Sequence, residues 1–297
     1  MEYILKTKNL AKRYKKEYAV KNLTLSVPTA SVYGFLGPNG SGKTTTMKMM
    51  LGLIHSTNGS VEVMGQTLNS KNRLQILSNM GSLIESPSYY GHLTASENLE
   101  ITCLLKNIPR GEITEILKVV GLESTGKKAV SKFSLGMKQR LGIANALIGK
   151  PKILLLDEPT NGLDPQGIVE IRELIKSLPK LYGITVLISS HLLSEIEQMA
   201  DFVSIIHQGE VKFQGKMEEL KALDDRHLKL TTTDNLKALT LCNKLTVEGG
   251  FLRYPANLDD ALVSDIKLLA NHGVYPIRII ESSINLEDIF LDMTREV

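Results

Sequence analysis

The feature that most constrains the fold is a glycine-rich segment, residues 37–44, which lies between a predicted strand and a predicted helix. Its sequence, GPNGSGKT, fits the pattern G-x-x-x-x-G-K-[ST]. Glycines let the backbone wrap closely around phosphate oxygens, and the following helix adds the positive end of its dipole. A chance match is expected about once in a hundred chains of this length. The segment therefore predicts a nucleotide-binding loop.

We expect the whole loop to contact a nucleotide. Lys43 would reach the β- and γ-phosphates, and the Thr44 hydroxyl would bind Mg²⁺. The predicted nucleotide-binding residues of this segment are Gly37, Pro38, Asn39, Gly40, Ser41, Gly42, Lys43, Thr44 and Thr45.

A second chemical signal is an apolar run at residues 153–156 that ends in Asp157 and Glu158. Taken alone, these are most simply solvated acids at a strand end. Paired with a phosphate loop, an acid at that position lies beside the Mg²⁺ of the nucleotide, a role that suits Asp157. Glu158 points differently and could orient or deprotonate the attacking water.

The composition excludes a disordered, collagen-like or coiled-coil chain. Hydrophobic residues are 42% and charged residues 23%, which are ordinary globular values. No apolar run approaches the ~20 residues of a membrane span, and the N-terminus has no apolar signal core. Cys103 and Cys242 match no metal spacing, and a net charge of +3 is too weak to indicate a nucleic-acid partner. We expect a cytoplasmic chain that acts on a membrane only through a partner.

The pattern of elements predicts an α/β fold. Between residues 152 and 207, continuous apolar strands alternate with helices, which is typical of a parallel sheet covered on both faces. Residues 3–63 contain short strands, and residues 87–149 are predicted mainly helical. The apolar residues of that helical region recur at three- and four-residue steps: Leu99, Leu104, Leu105, Ile113, Ile116, Leu117 and Val120.

A domain boundary is predicted near the charged stretch 221–226. The tail beyond it, of about 75 residues, is expected to form a small α+β module. Leu228, Leu230 and Thr232 alternate as in a strand, and residues 251–254 and 274–280 look similar. Its two predicted helices have apolar faces that are expected to be core, and Asn285 is a predicted N-cap. The faces are Leu258, Leu262, Ile266 and Leu269 in the first, and Leu286, Ile289, Phe290 and Met293 in the second.

These motifs, taken in order, resemble those of the ATP-binding subunit of an ABC transporter, and the resemblance covers residues 1 to about 220. Besides the loop and the Asp157–Glu158 strand, it includes an aromatic residue, Tyr14, and the segment 134–140, SLGMKQR, which is a variant of the family signature. Residues 161–164, NGLD, resemble the D-loop, and His191 occupies the switch-histidine position.

The resemblance implies a role for each of these residues. Tyr14 would stack on adenine, although a packing tyrosine is the simpler alternative. Ser134 and Gly136 would face the γ-phosphate of an ATP held by another subunit, and Asp164 would link the paired sites. His191 would contact the γ-phosphate, against the alternative of a core histidine. The implied catalytic residues are Glu158, His191 and Lys43.

The sequence departs from the family pattern in the Q-loop and the signature. Glu85 replaces the usual glutamine, and its carboxylate can bind Mg²⁺ but cannot donate a hydrogen bond as an amide does. In the signature, Leu135 replaces a glycine and the end is altered at 137–138 (Met-Lys), while Ser134 and Gly136 remain. The implied Mg²⁺ ligands are Thr44, Glu85 and Asp157.

These features together resemble one branch of the family, the bacterial ATPases of bacitracin-type and lantibiotic self-protection exporters. The implied architecture is an ABC ATPase domain, residues 1–222, with a mainly parallel core sheet, an antiparallel β subdomain and a helical subdomain at about 87–149. Residues 223–297 would be a small accessory domain.

The resemblance implies ATP and Mg²⁺ as cofactors, a membrane permease as partner, a homodimer or pseudo-dimer with ATP at its interface, and a location at the inner face of the bacterial membrane. The alternatives are a general multidrug or ion exporter, a soluble ABC ATPase acting on ribosomes or DNA, and a binding-only regulator. No nucleic acid partner is expected.

Overall fold

The computed structural model describes residues 2–223, 227–255, 259–282 and 286–294. The chain forms two compact units. The larger covers the residues up to Glu218 together with the last residues from Met293, and the smaller is Glu219–Asp292. Among the described residues, no helix combines the length and apolar character needed to cross a membrane.

The larger unit begins with β1 and is built from strands of two sheets. The strands up to residue 223 are β1 (Tyr3–Tyr14), β2 (Glu17–Pro28), β3 (Val32–Leu36), β4 (Asn58–Val63), β5 (Gln66–Thr67), β6 (Met80–Leu83), β7 (Ile153–Asp157), β8 (Thr185–Ser190), β9 (Phe202–His207) and β10 (Glu210–Lys216). The helices are α1 (Lys43–Met50), α2 (Arg73–Leu77), α3 (Ala95–Lys106), α4 (Glu112–Val119), α5 (Leu135–Leu147), α6 (Pro165–Tyr182), α7 (Leu193–Glu197) and α8 (Met217–Lys221).

The central sheet has the strand order β10-β9-β3-β8-β7-β6. Its neighbours pair in parallel from β9 through to β6, and only the edge strand β10 is antiparallel. Every residue of β3, β7 and β8 is buried. Burial on both faces explains why these strands read as continuous apolar runs rather than alternating ones. The predicted α/β class is confirmed.

A second sheet, with strand order β2-β1-β4-β5, is entirely antiparallel. Its inward residues, among them Leu10, Leu23 and Leu25, are fully buried and share one apolar core with Phe35 of β3 and Met47 of α1. The antiparallel sheet therefore packs against the side of the central sheet on which α1 lies.

The region predicted to be mainly helical contains α3, α4 and α5. The apolar residues whose spacing indicated helix belong to two helices, because α3 ends at Lys106 and α4 begins at Glu112 after a segment that contains Pro109 and Gly111. Leu99 is fully buried, whereas Leu104 and Leu105 are 65% and 82% exposed and lie on the solvent side of α3.

The strand β10 had no sequence prediction. Its polar residues alternate with Val211 and Phe213, both of which are only partly buried. As the edge strand of the sheet it buries little apolar surface, so hydrophobic patterning gives a weak signal there.

The smaller unit is an antiparallel sheet of order β12-β13-β11-β14 with helices. Leu230, Leu252, Tyr254 and Leu269 are among its fully or almost fully buried core residues. The predicted cap Asn285 and the predicted face residue Leu258 lie outside the described residues. The elements after residue 226 are β11 (His227–Thr232), α9 (Asn235–Leu241), β12 (Thr246–Glu248), β13 (Phe251–Pro255), α10 (Asp259–Asn271), β14 (Pro276–Ser282) and α11 (Leu286–Thr294).

A hydrogen-bonded triad reinforces the core of the smaller unit. Asp265 accepts hydrogen bonds from Tyr254 Oη at 2.7 Å and from Lys244 Nζ at 2.9 Å. The Lys244 ammonium lowers the pKa of Asp265, while burial raises that of Tyr254.

Gly81 of β6 sets the approach of α5 to the sheet. A Cβ at this position would lie 2.1 Å from the carbonyl oxygen of Ala146 on α5, which is backbone and cannot rotate away. We expect Gly81→Ala to destabilise the protein by about 2 kcal/mol through overpacking, lowering the melting temperature by about 5 °C. Gly111→Ala is the matched control, because no atom of the described part of the chain lies within 4 Å of its Cβ position. Equal melting temperatures for both variants would contradict this account.

Candidate active site

The glycine-rich loop connects β3 to α1 at the carboxyl end of the parallel sheet. Gly42 has φ +104°, and a Cβ there would lie 2.4 Å from the carbonyl oxygen of Ala19, so only glycine fits. A Cβ at Gly37 would lie 2.3 Å from the carbonyl oxygen of Ile206. The loop is therefore held tightly between β2 and the end of β9, with α1 beginning directly after it.

Ser41 lies inside this loop and is 3% exposed. Its Oγ is buried and hydrogen-bonds to none of the residues that the structure describes. A buried hydroxyl without a partner costs free energy, and phosphate oxygens would supply acceptors. Ser41 therefore fits a loop built for a phosphate ligand.

Lys43, the first residue of α1, holds its ammonium group within the loop. Its Nζ donates to the carbonyl oxygens of Gly37 at 2.7 Å and Pro38 at 3.2 Å, and it lies 3.5 Å from Glu158 Oε1. Burial lowers the pKa of Lys43, and the Glu158 carboxylate opposes that shift. The loop thus contains a largely desolvated cation, which is the charge that a nucleotide phosphate requires.

The Thr44 hydroxyl and the Asp157 carboxylate meet across the gap between α1 and β7. Thr44 Oγ1 donates to Asp157 Oδ2 at 2.8 Å, and Ser189 Oγ of β8 donates to Asp157 Oδ1 at 2.5 Å. Hydroxyl and carboxylate oxygens are the ligands that Mg²⁺ prefers, usually a few of them together with phosphate oxygens. The donor set of Thr44 and Asp157 therefore fits a magnesium ion.

Glu158 adopts the left-handed backbone conformation, with φ +47°. Its Oε2 lies 2.9 Å from His191 Nδ1, and its Oε1 faces Lys43. The carboxylate is 22% exposed and the imidazole 33%. Glu158 thus lies between the phosphate loop and His191, within reach of solvent.

Glu85 follows β6 and also has a left-handed backbone, with φ +64°. Its Oε1 lies 2.6 Å from Lys48 Nζ on α1, and this hydrogen bond raises the pKa of Lys48. Glu85, Thr44, Asp157 and Glu158 line one cleft. Glu85 therefore shares a cleft with the other two predicted Mg²⁺ ligands, and its carboxylate is paired with a lysine that sequence reasoning did not identify.

Tyr14 ends β1, and its ring is 50% exposed. The ammonium of Lys12 lies 5.1 Å from the ring centroid. An exposed ring at a strand end is available for stacking, whereas a packing tyrosine would be buried.

Ser134, Gly136 and Asp164 lie together in a second cleft, which Leu135 and Gly162 also line. Ser134 is the N-cap of α5, and its Oγ accepts from Met137 N at 3.2 Å. Asp164 caps α6 in the same way, with Oδ1 2.9 Å from Gly167 N. Both residues therefore have structural roles, since an N-cap contributes about 1 kcal/mol.

Gly136 has no such role among the residues that the structure describes. Of these residues, a Cβ at Gly136 would meet only the side chain of Leu163, at an ordinary 3.9 Å. Glycine at this position of a helix is therefore not explained by packing within the chain, and it leaves room for a group from outside it.

Sequence reasoning missed a second set of buried polar residues. Glu195 of α7 accepts hydrogen bonds from Thr160 Oγ1 at 2.5 Å and Ser190 Oγ at 3.4 Å, and Leu192 N donates to Ser190 Oγ. These bonds join the segment after β7 to the segment that carries His191. The sequence signal that could have revealed these residues is a pair of serines, Ser189 and Ser190, directly after the apolar run at residues 186–188.

A phosphate loop between a strand and a helix, with acids at a neighbouring strand end, is the site of a nucleotide-binding protein of the P-loop class. The family model described as ABC transporter matches residues 20–161. The bacitracin transport ATP-binding protein BcrA of Bacillus licheniformis is 43% identical, over 99% of this chain and 98% of that protein. The lantibiotic transport ATP-binding protein SrtF of Streptococcus pyogenes is 42% identical, over 75% of this chain and 95% of its own length.

Among solved structures, the ATP-binding cassette MJ0796, a dimer bound to ADP and Pi in a post-hydrolysis state, is similar. It matches with a TM-score of 0.65 and 29% identity, over 72% of this chain and 98% of that chain. The chain described here belongs to the ATP-binding proteins of ABC transporters, and it is an ATPase subunit that binds ATP.

Replacing Gly136 by alanine tests whether packing within the chain requires this glycine. We expect Gly136→Ala to stabilise the isolated chain by about 0.5 kcal/mol, because alanine is the better helix former and no clash arises. The melting temperature should rise by about 1–2 °C, as measured by thermal unfolding without nucleotide. A fall of several degrees would mean that the glycine is required by packing within the chain.

Proposed function

We propose that this subunit uses ATP hydrolysis to power export of an antimicrobial peptide of the bacitracin or lantibiotic type through a separate membrane permease. The observation that carries the proposal is the 43% identity to a bacitracin transport protein over 99% of the chain, smaller unit included. The lantibiotic transport ATP-binding protein SrtF also supports the proposal, with a match that covers 75% of this chain.

In the proposed ATP complex, the phosphate loop binds the β- and γ-phosphates. Lys43 Nζ exchanges the carbonyl oxygens of Gly37 and Pro38 for phosphate oxygens, and Ser41 Oγ gains a partner. The Tyr14 ring stacks on the adenine, which gives only weak base selectivity because stacking does not depend on base identity.

Thr44 and Asp157 would hold the Mg²⁺ of the nucleotide, and Glu85 lies in the same cleft as a third candidate ligand. When bound, the ion neutralises developing charge on the phosphate oxygens. The Lys48 ammonium offsets the negative charge that the Glu85 carboxylate adds, so the pair is neutral overall.

Glu158 is the proposed general base. Its carboxylate accepts a proton from the water that attacks the γ-phosphorus, and the bond to the leaving ADP oxygen breaks. His191, 2.9 Å from Glu158 Oε2, orients this carboxylate and contacts the γ-phosphate. Lys43 stabilises the charge on the transferred group.

The proposed active species is a dimer of ATPase subunits, with identical or closely related partners. Ser134 and Gly136 open α5, and this helix N-terminus would face the γ-phosphate of an ATP bound to the other subunit. The room at Gly136 and the dimeric, nucleotide-bound MJ0796 cassette support this arrangement. Asp164 shares the cleft with Ser134 and would couple the paired sites.

We further propose that residues 1–222 form the ATP-binding domain, with the helical subdomain at about 87–149 contacting the permease, and that residues 223–297 are an accessory domain. The location that follows is the inner face of a bacterial membrane, where the permease holds the subunit. No nucleic acid takes part in this cycle.

The base assignment is tested by Glu158→Gln. The amide keeps the shape of the side chain but cannot accept the proton, so kcat for ATP should fall at least 100-fold. ATP affinity should stay within threefold, and an ATP-bound dimer should accumulate in size-exclusion chromatography. Glu173→Gln, on an exposed position of α6, is the matched control and should hydrolyse ATP normally. A Glu158→Gln variant that hydrolyses ATP at the normal rate would remove Glu158 from this role.

The transport assignment is tested in bacteria that carry the subunit together with its permease. We expect at least fourfold higher tolerance to bacitracin or a lantibiotic than in cells carrying Lys43→Ala, because that variant loses the phosphate-binding cation. Tolerance to a non-peptide dye serves as the comparison. Protection against the dye alone would instead support a general multidrug exporter.

A further inference from the structure

Ser189 is a fully buried hydroxyl at the carboxyl end of β8, in the middle of the parallel sheet. It follows the apolar residues Val186, Leu187 and Ile188, which are equally buried. A hydroxyl in such a place needs hydrogen-bond partners. Ser189 finds them in the residues to which the hydrolysis chemistry is assigned.

The direction of each hydrogen bond is fixed by chemistry. Ser189 Oγ lies 2.5 Å from Asp157 Oδ1, and Glu158 N donates to Ser189 Oγ at 3.0 Å. An ionised carboxylate is only an acceptor and a hydroxyl has one proton. The serine proton is therefore committed to Asp157, and a lone pair of the same oxygen accepts the Glu158 N–H.

The hydrogen bond from Ser189 gives the two oxygens of the Asp157 carboxylate different partners. Oδ1 is engaged by Ser189, so Oδ2 is left to face Thr44 Oγ1, which lies 2.8 Å away. Two fixed points determine the plane of the carboxylate. Without the Ser189 hydroxyl, the carboxylate could rotate about its Cβ–Cγ bond.

The same hydroxyl also holds the Glu158 backbone. Glu158 has φ +47°, and this left-handed conformation is energetically unfavourable for residues with a Cβ. Its N–H is held by Ser189 Oγ at 3.0 Å and by the Ser189 carbonyl oxygen at 3.2 Å. This conformation sends the Glu158 side chain between Lys43 and His191.

We propose that Ser189 is a positioning residue for ATP hydrolysis, which orients the Asp157 carboxylate and holds the Glu158 backbone in its left-handed conformation through one hydroxyl group. The inference rests on the proposed roles of Asp157 and Glu158. Ser189 touches neither nucleotide nor water in this scheme, and it acts only through these acids.

The test is Ser189→Ala in the purified full-length chain, measured first at equilibrium. Affinity for a non-hydrolysable ATP analogue should stay within twofold of wild type without Mg²⁺. The increase in affinity produced by Mg²⁺ should shrink at least fivefold, because Asp157 Oδ2 is no longer held towards Thr44. For ATP hydrolysis, kcat should fall at least tenfold, and Ser189→Thr, which keeps the hydroxyl, should recover most of both losses.

The matched control is Ser204→Ala on β9. Ser204 is also 0% exposed, and its Oγ lies 2.5 Å from Tyr33 Oη, away from the acids. This variant removes an equally buried hydroxyl from the same sheet, so it reports the cost of a lost core hydrogen bond. We expect its Mg²⁺ response and kcat to stay within twofold of wild type.

The proposal is overturned if Ser189→Ala keeps the wild-type Mg²⁺ response, or if Ser204→Ala loses as much as Ser189→Ala. Glu158→Gln distinguishes this failure from failure of the proposed function. If Glu158→Gln is inactive while Ser189→Ala is normal, only the positioning role fails. If Glu158→Gln is active, the base assignment itself is wrong.

Discussion

The parallel pairing of β3, β7 and β8 is the constraint on which the rest of the site depends. Because these strands run in the same direction, their carboxyl ends meet at one edge of the sheet. The phosphate loop follows β3, Asp157 ends β7 with Glu158 directly after it, and the segment carrying His191 follows β8. Groups separated by more than 100 residues, such as Thr44 and Asp157, therefore lie within hydrogen-bond distance.

Buried charge at this edge is arranged for a ligand rather than for stability. A buried cation costs free energy unless it is paired and hydrogen-bonded. Lys43 is 5% exposed, and it is satisfied by loop carbonyl oxygens and by a 3.5 Å contact with Glu158. The left-handed backbones of Glu85 and Glu158 add strain in the same place. The burial of the apolar strands β3, β7 and β8 supplies stabilising free energy that offsets these costs.

Residues of the signature-like segment 134–140 and of the D-loop-like segment 161–164 are present for two kinds of reason. Ser134 and Asp164 cap their own helices, so their identity is partly explained by folding alone. Gly136 has no such explanation, and the exposed Leu135 at the start of α5 buries little within the chain. Geometry thus separates the positions that the chain itself requires from those that leave room for a second molecule.

The sequence by itself determined the α/β class, the phosphate loop and the strand-end acids, because each is a local pattern of a few consecutive residues. It did not predict the edge strand β10, and the helical spacing of Leu104 and Leu105 did not reveal that both are exposed. The tertiary structure alone decided the pairing of Lys48 with Glu85 and the contacts of Ser189 with Asp157 and Glu158. These contacts join residues far apart in the chain, and a lone lysine or serine has no local pattern to reveal its partner. Only the register of parallel strands and the packing of α1 against them bring such groups together.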